Sequence, residues 1–315
     1  MRVDTLDKHS APEFHSSFYG PRYWPTWLLL AFFRICARLP VSANLAIGRF
    51  IGVLFNLLAP SRRRIAETNI ALCFPQLDAR AQKKMVDGVI RNCGISIMES
   101  AMALWGQENK LLDRHSIEGL EHLAAAKANG QGVLLVGCHF TTMDPAGRIF
   151  ASHAEVHMLY RKDPNPLLAY ELIKAREKYL SSAIVFSDMR QLIKKLRQGE
   201  AVWYAPDQDS GRDQSVFAPF FGVPAATVLG TARIARLARA VVLPYAHYRD
   251  DNGHYQLIIG APLANFPAGD DVLDATRINN VIEDMVRVKP DQYLWVHRRF
   301  KTRPAGEPGF YKKKK

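Results

Sequence analysis

Apolar and polar positions change rhythm three times along the chain. Around residue 23 an aromatic entry, Tyr23-Trp24-Pro25-Thr26-Trp27, leads into the apolar run 28–33 and then to Arg34 and Arg38. This order predicts a helix at a membrane surface, with rings at the headgroup level and arginines reaching water. It is shorter than the roughly 20 apolar residues of a full crossing, and Pro40 ends it. Residues 41–59 are apolar for long enough, but Asn44, Arg49 and Asn56 interrupt them, and a mid-segment arginine is costly in lipid. Residues 61–112 follow a helical period through Ile65, Thr68, Asn69 and Leu72, and again through Met85, Val89, Ile90, Ile97 and Met98 behind Asp78. Residues 1–22 read as a loose lead-in, polar and without the apolar core of a secretory signal.

From Gly130 to about Gly260 the rhythm becomes short apolar runs alternating with helical patterns. Strands are expected at 133–136, 156–160, 183–186, 202–205, 241–245 and 255–259. Helices are expected at 145–152, 166–180, 189–197 and 227–237, with Asp251-Asn252-Gly253 as the turn between the last two strands. A helix at about 274–288 and a run at 293–297 follow. The fold class is therefore α/β: a central mixed, largely parallel sheet flanked by helices, behind an N-terminal helical membrane-associating segment. The domain division expected is 1–60 for the lead-in and membrane-associating helices and 61–315 for the α/β domain.

The 315 residues carry a net charge of +12. That balance favours an acidic partner: nucleic acid, an anionic membrane, a phosphorylated substrate or an acidic protein. Ser61-Arg62-Arg63-Arg64, directly behind the second apolar stretch, suits an anionic membrane leaflet, each charge contributing about 1 kcal/mol near the surface. The basic residues are not interleaved with a platform of stacking aromatics, so nucleic acid gains little support. Cys36, Cys73, Cys93 and Cys138 form no CxxC pair, which argues against a zinc site or a disulfide framework. HExxH, GxSxG, GxxxxGK[ST] and GxGxxG do not occur.

Chemistry concentrates at the ends of the expected strands, where open α/β sheets place their sites. His139 follows the strand 133–136, and Asp144 stands five residues on, before Pro145, at or near a helix start. A carboxylate that holds one imidazole nitrogen leaves the other as a proton acceptor, so His139 is the candidate base and Asp144 its expected orienter. Arg161, after the second strand in Tyr160-Arg161-Lys162, is a candidate phosphate ligand. Asp207 and Asp209, after the strand 202–205, can bind a metal, orient sugar hydroxyls or pair with Arg212, Arg233 or Arg236. No further ligand spacing supports a metal, and none is expected. Phe217, Phe220, Phe221 and Val223 offer an apolar wall of the kind an acyl chain needs.

Taken together, His139 with Asp144, Arg62-Arg63-Arg64-Ile65-Ala66, Asn69-Ile70, Cys73-Phe74-Pro75, Tyr160-Arg161 with Asn165-Pro166, Asp207-Gln208-Asp209, Phe220-Phe221-Gly222-Val223-Pro224 and Arg298-Arg299-Phe300-Lys301-Thr302-Arg303-Pro304 resemble the late acyltransferases of lipid A biosynthesis, within the wider HxxxxD lipid acyltransferases. The resemblance runs from about Pro40 to Pro304. It implies a cofactor-free enzyme on the cytoplasmic face of the inner membrane of a Gram-negative bacterium. It also implies acyl carrier protein as donor and a hydroxyl on a 3-hydroxyacyl chain of a lipid A precursor as acceptor. The implied catalytic pair is His139 and Asp144; Arg161, Asp207, Asp209, Arg233, Phe220 and Phe221 are the expected substrate contacts. Two other readings stay open at this stage: an HxxxxD acyltransferase acting on glycerol phosphate or another glycolipid, and a non-catalytic anionic-lipid-binding protein.

Overall fold

The computed structural model describes residues 13–161 and 163–311. Most of the expected lead-in, Lys162 and the four terminal lysines lie outside the described residues. The helices are α1 (Trp24–Cys36), α2 (Val41–Leu58), α3 (Pro60–Cys73), α4 (Ala79–Trp105), α5 (Asn109–Leu112), α6 (Leu120–Ala128), α7 (Met143–Ala151), α8 (Pro166–Arg176), α9 (Met189–Arg197), α10 (Gly230–Ala238) and α11 (Asp271–Val288). The strands are β1 (His115–Glu118), β2 (Val133–Val136), β3 (His157–Tyr160), β4 (Ser182–Val185), β5 (Ala201–Tyr204), β6 (Ser215–Phe220), β7 (Val223–Val228), β8 (Val241–Arg249) and β9 (Tyr255–Ile259).

Seven strands form one sheet in the order β1-β9-β8-β2-β5-β3-β4, parallel except at the β8–β9 hairpin. β2 lies inside the sheet, and all four of its side chains are buried; a strand covered on both faces must be apolar throughout. Its register with β5 sets Val136 against Tyr204, and its register with β8 sets Val136 against Pro244. Three residues past each of those positions come His139, Asp207 and His247.

Three features depart from the sequence expectation. The run 293–297 forms neither helix nor strand. A short 3-10 turn (Pro290–Gln292) precedes it, and Tyr293 makes a single bridge to Phe140. The apolar wall of Phe217, Phe220, Phe221 and Val223, for which no strand was expected, belongs to the hairpin β6–β7, whose turn puts Phe221 in the left-handed region at φ 50. β1 and α6 carry too weak an apolar period to stand out in the sequence.

α2 lies along α4 at backbone contact. A Cβ at Gly94 would stand 2.2 Å from the Gly52 amide nitrogen and 2.4 Å from the Gly48 carbonyl oxygen. Small residues on both helices permit this approach. The other sides of α1 and α2 are exposed and apolar, with Trp24, Leu28, Phe32 and Ile35 on one and Phe50, Val53, Leu57 and Leu58 on the other. α2 is long and apolar enough, by length and composition, to cross a membrane.

Gly94→Ala is expected to cost about 3 kcal/mol, the upper range for overpacking, because the clash is backbone on backbone. Thermal unfolding of the purified chain measures it; an unchanged midpoint would mean the helices are not seated as described.

Candidate active site

β2 and β5 end side by side, and the two loops that leave them meet. His139 Nδ1 lies 2.6 Å from Asp207 Oδ1, and the His139 backbone N–H donates to Asp207 Oδ2 at 3.0 Å. The carboxylate thus holds both the ring and the backbone of one residue, which fixes the imidazole's orientation. Asp207 is buried, whereas the His139 side chain keeps 25% of its surface open. With Nδ1 committed to Asp207, Nε2 is the nitrogen available to a ligand.

Electrostatics follow the geometry. Burial works against the Asp207 anion, yet the imidazole, the two hydrogen bonds from His139 and the Tyr293 hydroxyl outweigh it and hold the carboxyl down to about 2. Burial also works against a charged His139. The Asp207 charge and hydrogen bond prevail, and the net shift is upward, slightly opposed by Arg161. Cys138 is unsuited to nucleophilic work: burial, reinforced by Asp207, pushes its thiol well up. His247, buried and bonded to the Thr142 hydroxyl at 2.8 Å, is pushed down to about 3 and stays neutral.

The expected contact between His139 and Asp144 is replaced by the one with Asp207. Asp144 sits in the first turn of α7, directed toward α8 and α4. It accepts from Arg176 Nη2 at 2.8 Å and Nε at 3.1 Å, and from the Ser100 hydroxyl at 2.7 Å. Burial favours its neutral form, but Arg176 and Ser100 reverse this and the net pKa falls. Arg176 and Ser100 had no signal in the sequence, because they stand 32 and 44 positions from Asp144.

A cavity of mixed polarity, about 230 Å³, opens at these strand ends, lined by His139, Arg161, Arg176, Gln208 and Ser210 among others. Arg161 therefore shares a cavity with the imidazole, its guanidinium 4.6 Å from the centre of the Phe186 ring. A narrow apolar cavity adjoins it through the shared residues Met143, Met158 and Trp203, and runs between Leu135, Phe150, Val156, Leu180 and Tyr245. Gly147 faces this second cavity, where an added Cβ would meet nothing within 4 Å.

The remaining candidates lie elsewhere. Phe220 and Phe221 do not line these cavities. Phe220 is fully buried against Tyr293, Trp295 and Phe300, and Phe221 packs on Phe74 and Trp295. Phe220 faces the core from the end of β6, and the left-handed turn residue Phe221 folds back onto the same core. Asp209 accepts from the backbone N–H and hydroxyl of Thr302 and from the Gly211 N–H, so its carboxylate anchors the chain end. Arg233 is exposed on α10, away from the imidazole's cavity.

Comparison with known proteins adds three findings. The family model for bacterial lipid A biosynthesis acyltransferases matches residues 11–302. The chain is 35% identical to the lipid A biosynthesis lauroyltransferase of Escherichia coli over 95% of its own length and 99% of that protein. It is also 35% identical to the lipid A biosynthesis palmitoleoyltransferase of the same organism, over 95% and 98%. A solved 1-acyl-sn-glycerophosphate acyltransferase of Thermotoga maritima superposes with a TM-score of 0.38 at 15% identity, over 78% of this chain and 94% of that one.

A base must be neutral to accept a proton, and Asp207 raises the pKa of His139, so activity is expected to fall as pH drops through that raised value. Asp207→Asn removes the charge. It should shift the acid limb of the kcat/KM profile to lower pH and cut the maximum about 10³–10⁴-fold, as losing such an orienting carboxylate does. An acid limb that stays in place would break the assigned pair.

Proposed function

This chain belongs to the bacterial lipid A biosynthesis acyltransferase family, and from that premise we propose that it moves a fatty acyl group from acyl carrier protein to a hydroxyl on a 3-hydroxyacyl chain of a lipid A precursor. It is an acyltransferase of lipid A synthesis by family. The observation that carries the finer reading is an imidazole held by a buried carboxylate and lining a cavity of mixed polarity beside an apolar one.

In this reading His139 Nε2 takes the proton of the acceptor hydroxyl as the oxygen attacks the donor's thioester carbonyl. Asp207 stabilises the imidazolium formed. As the tetrahedral intermediate collapses and the carbon–sulfur bond breaks, that proton passes to the departing thiolate. Base catalysis of this type supplies about 10²–10⁴-fold; positioning and oxyanion stabilisation supply the rest. Arg176, held by Asp144, and Arg161 are the cations of the same cavity, suited to the developing oxyanion and to a substrate phosphate. Asp144 then acts through Arg176 rather than through the imidazole. The scheme needs no acyl-enzyme, metal or cofactor.

The apolar cavity, about 40 Å³, suits part of an acyl tail. The outward rows of α1 and α2 suit the lipid surface, and the cytoplasmic face of the inner membrane is where an acyl carrier protein and a lipid acceptor can meet. Seating on the surface fits α2 better than crossing, because Gly48 and Gly52 are engaged with α4 and Arg49 is exposed near the middle of the helix.

His139→Ala should abolish transfer with the fold retained. Mass spectrometry of lipid A from cells carrying the wild type, the variant or neither should show one added acyl chain only with the wild type; equal acylation with the variant would remove His139 from the chemistry. Gly147→Leu should fill the apolar cavity and lower kcat/KM for the longest donors about 10-fold relative to short ones, the scale of one or two misplaced methylenes. A donor-length profile identical to the wild type would exclude the cavity as the acyl seat.

A further inference from the structure

A third cavity, of about 460 Å³, lies on the other side of the segment 206–210 from the cavity of His139. Its walls include Ser61 and Arg62 from the start of α3, Arg298 and Lys301 from the chain end, and Asp209 and His297. The segment 206–210 divides it from the first: Gln208 and Ser210 line the cavity of His139, and Asp209 lines this one.

Charge here is one-sided. The Asp209 carboxylate is already bonded to the backbone and hydroxyl of Thr302 and to Gly211. Burial pushes His297 down to about 4, so it stays neutral. Arg62 donates to the Val296 carbonyl and Arg298 lies near the Tyr311 ring, yet among the described residues neither these two nor Lys301 has an ion-pair partner. Arg63, by contrast, turns away to Asp87 and Glu67. The first turn of α3 adds little to this set, because Pro60 has no N–H and the Arg62 N–H is bonded to the Ala59 carbonyl, so the charge of the site comes from the side chains. Three cations exceed what one carboxylate balances and match a phosphate ester of up to two charges.

The cavity has a fixed depth relative to the lipid surface. α3 follows the last turn of α2 after a single residue, and Leu57 and Leu58 of that turn are among the most exposed apolar side chains. If α2 lies on the membrane, Arg62 stands at headgroup level. We infer that Arg62, Arg298 and Lys301 form a binding site for the phosphate monoester of a lipid headgroup, separated from the cavity of His139 by the segment 206–210. The inference rests on the membrane seating of α2 proposed above, and not on the chemistry at His139.

Lys301 is exposed and reports on the site through its amine. The intact chain is labelled with acetic anhydride, and modification at Lys301 is read by mass spectrometry. The conditions are inorganic phosphate, chloride of equal ionic strength, phosphatidylcholine vesicles containing phosphatidic acid, and the same vesicles with phosphatidylglycerol at matched charge. Phosphate should slow Lys301 labelling about threefold relative to chloride once it reaches roughly twice its dissociation constant. Phosphatidic acid should protect more strongly than phosphatidylglycerol, and Arg62→Gln and Arg298→Gln should each weaken that protection without lowering the unfolding midpoint. Equal labelling in phosphate and chloride overturns the site. Protection by phosphate but not by phosphatidic acid overturns the lipid source and leaves a soluble phosphate ester as ligand. Because no turnover is measured, a failure of the acyltransfer scheme cannot mimic either result.

Discussion

The candidate chemistry depends on the parallel pairing of two short strands. β2 and β5 run level, so the loops leaving Val136 and Tyr204 reach the same depth at the same edge. A slip in that register would carry Asp207 past the imidazole. An ionised carboxylate without water or a partner is expensive to bury. Here the ring and backbone of His139 and the Tyr293 hydroxyl offset that cost together. The apolar side chains of β2, closed in on both faces, hold the register that makes this possible.

A second buried ion pair shares the site and has a different task. Asp144 and Arg176 tie the first turn of α7 to the last turn of α8, with Ser100 of α4 completing the carboxylate's bonds. Removing one member of such a pair strands the other, at about 3–5 kcal/mol. The pair therefore braces three helices, and it presents a guanidinium to the same cavity as His139 and Arg161. The two carboxylates are held apart by their partners: one holds an imidazole, the other a guanidinium.

The amino-terminal helices join this catalytic body to its surroundings. Glycines let α2 approach α4 closely, leaving the bulky apolar residues of α2 on the outside. This arrangement places an apolar surface, the cationic start of α3 and the strand-end cavity in one continuous body. An enzyme acting on amphipathic substrates needs its greasy and charged contacts at fixed relative depth, and rigid helix–helix contact provides that.

Much of this was legible along the chain. Val133–Val136 read as a buried strand because a short run apolar at every position, closed by a glycine, fits a strand covered on both faces. His139 and Asp207 were each marked by standing just past a strand. The motifs that carry the family resemblance, and with them the acyltransferase assignment, are likewise written in residue order. What the tertiary structure alone decided was pairing. Asp144 is five residues from His139 and Asp207 is 68 away, yet the nearer carboxylate serves Arg176 and the distant one serves the imidazole. Phe220 and Phe221 likewise became core once β6 paired with β7. The hydrophobic effect is local enough to show as periodicity, whereas a hydrogen bond is decided by where sheet register and helix packing set two side chains in three dimensions.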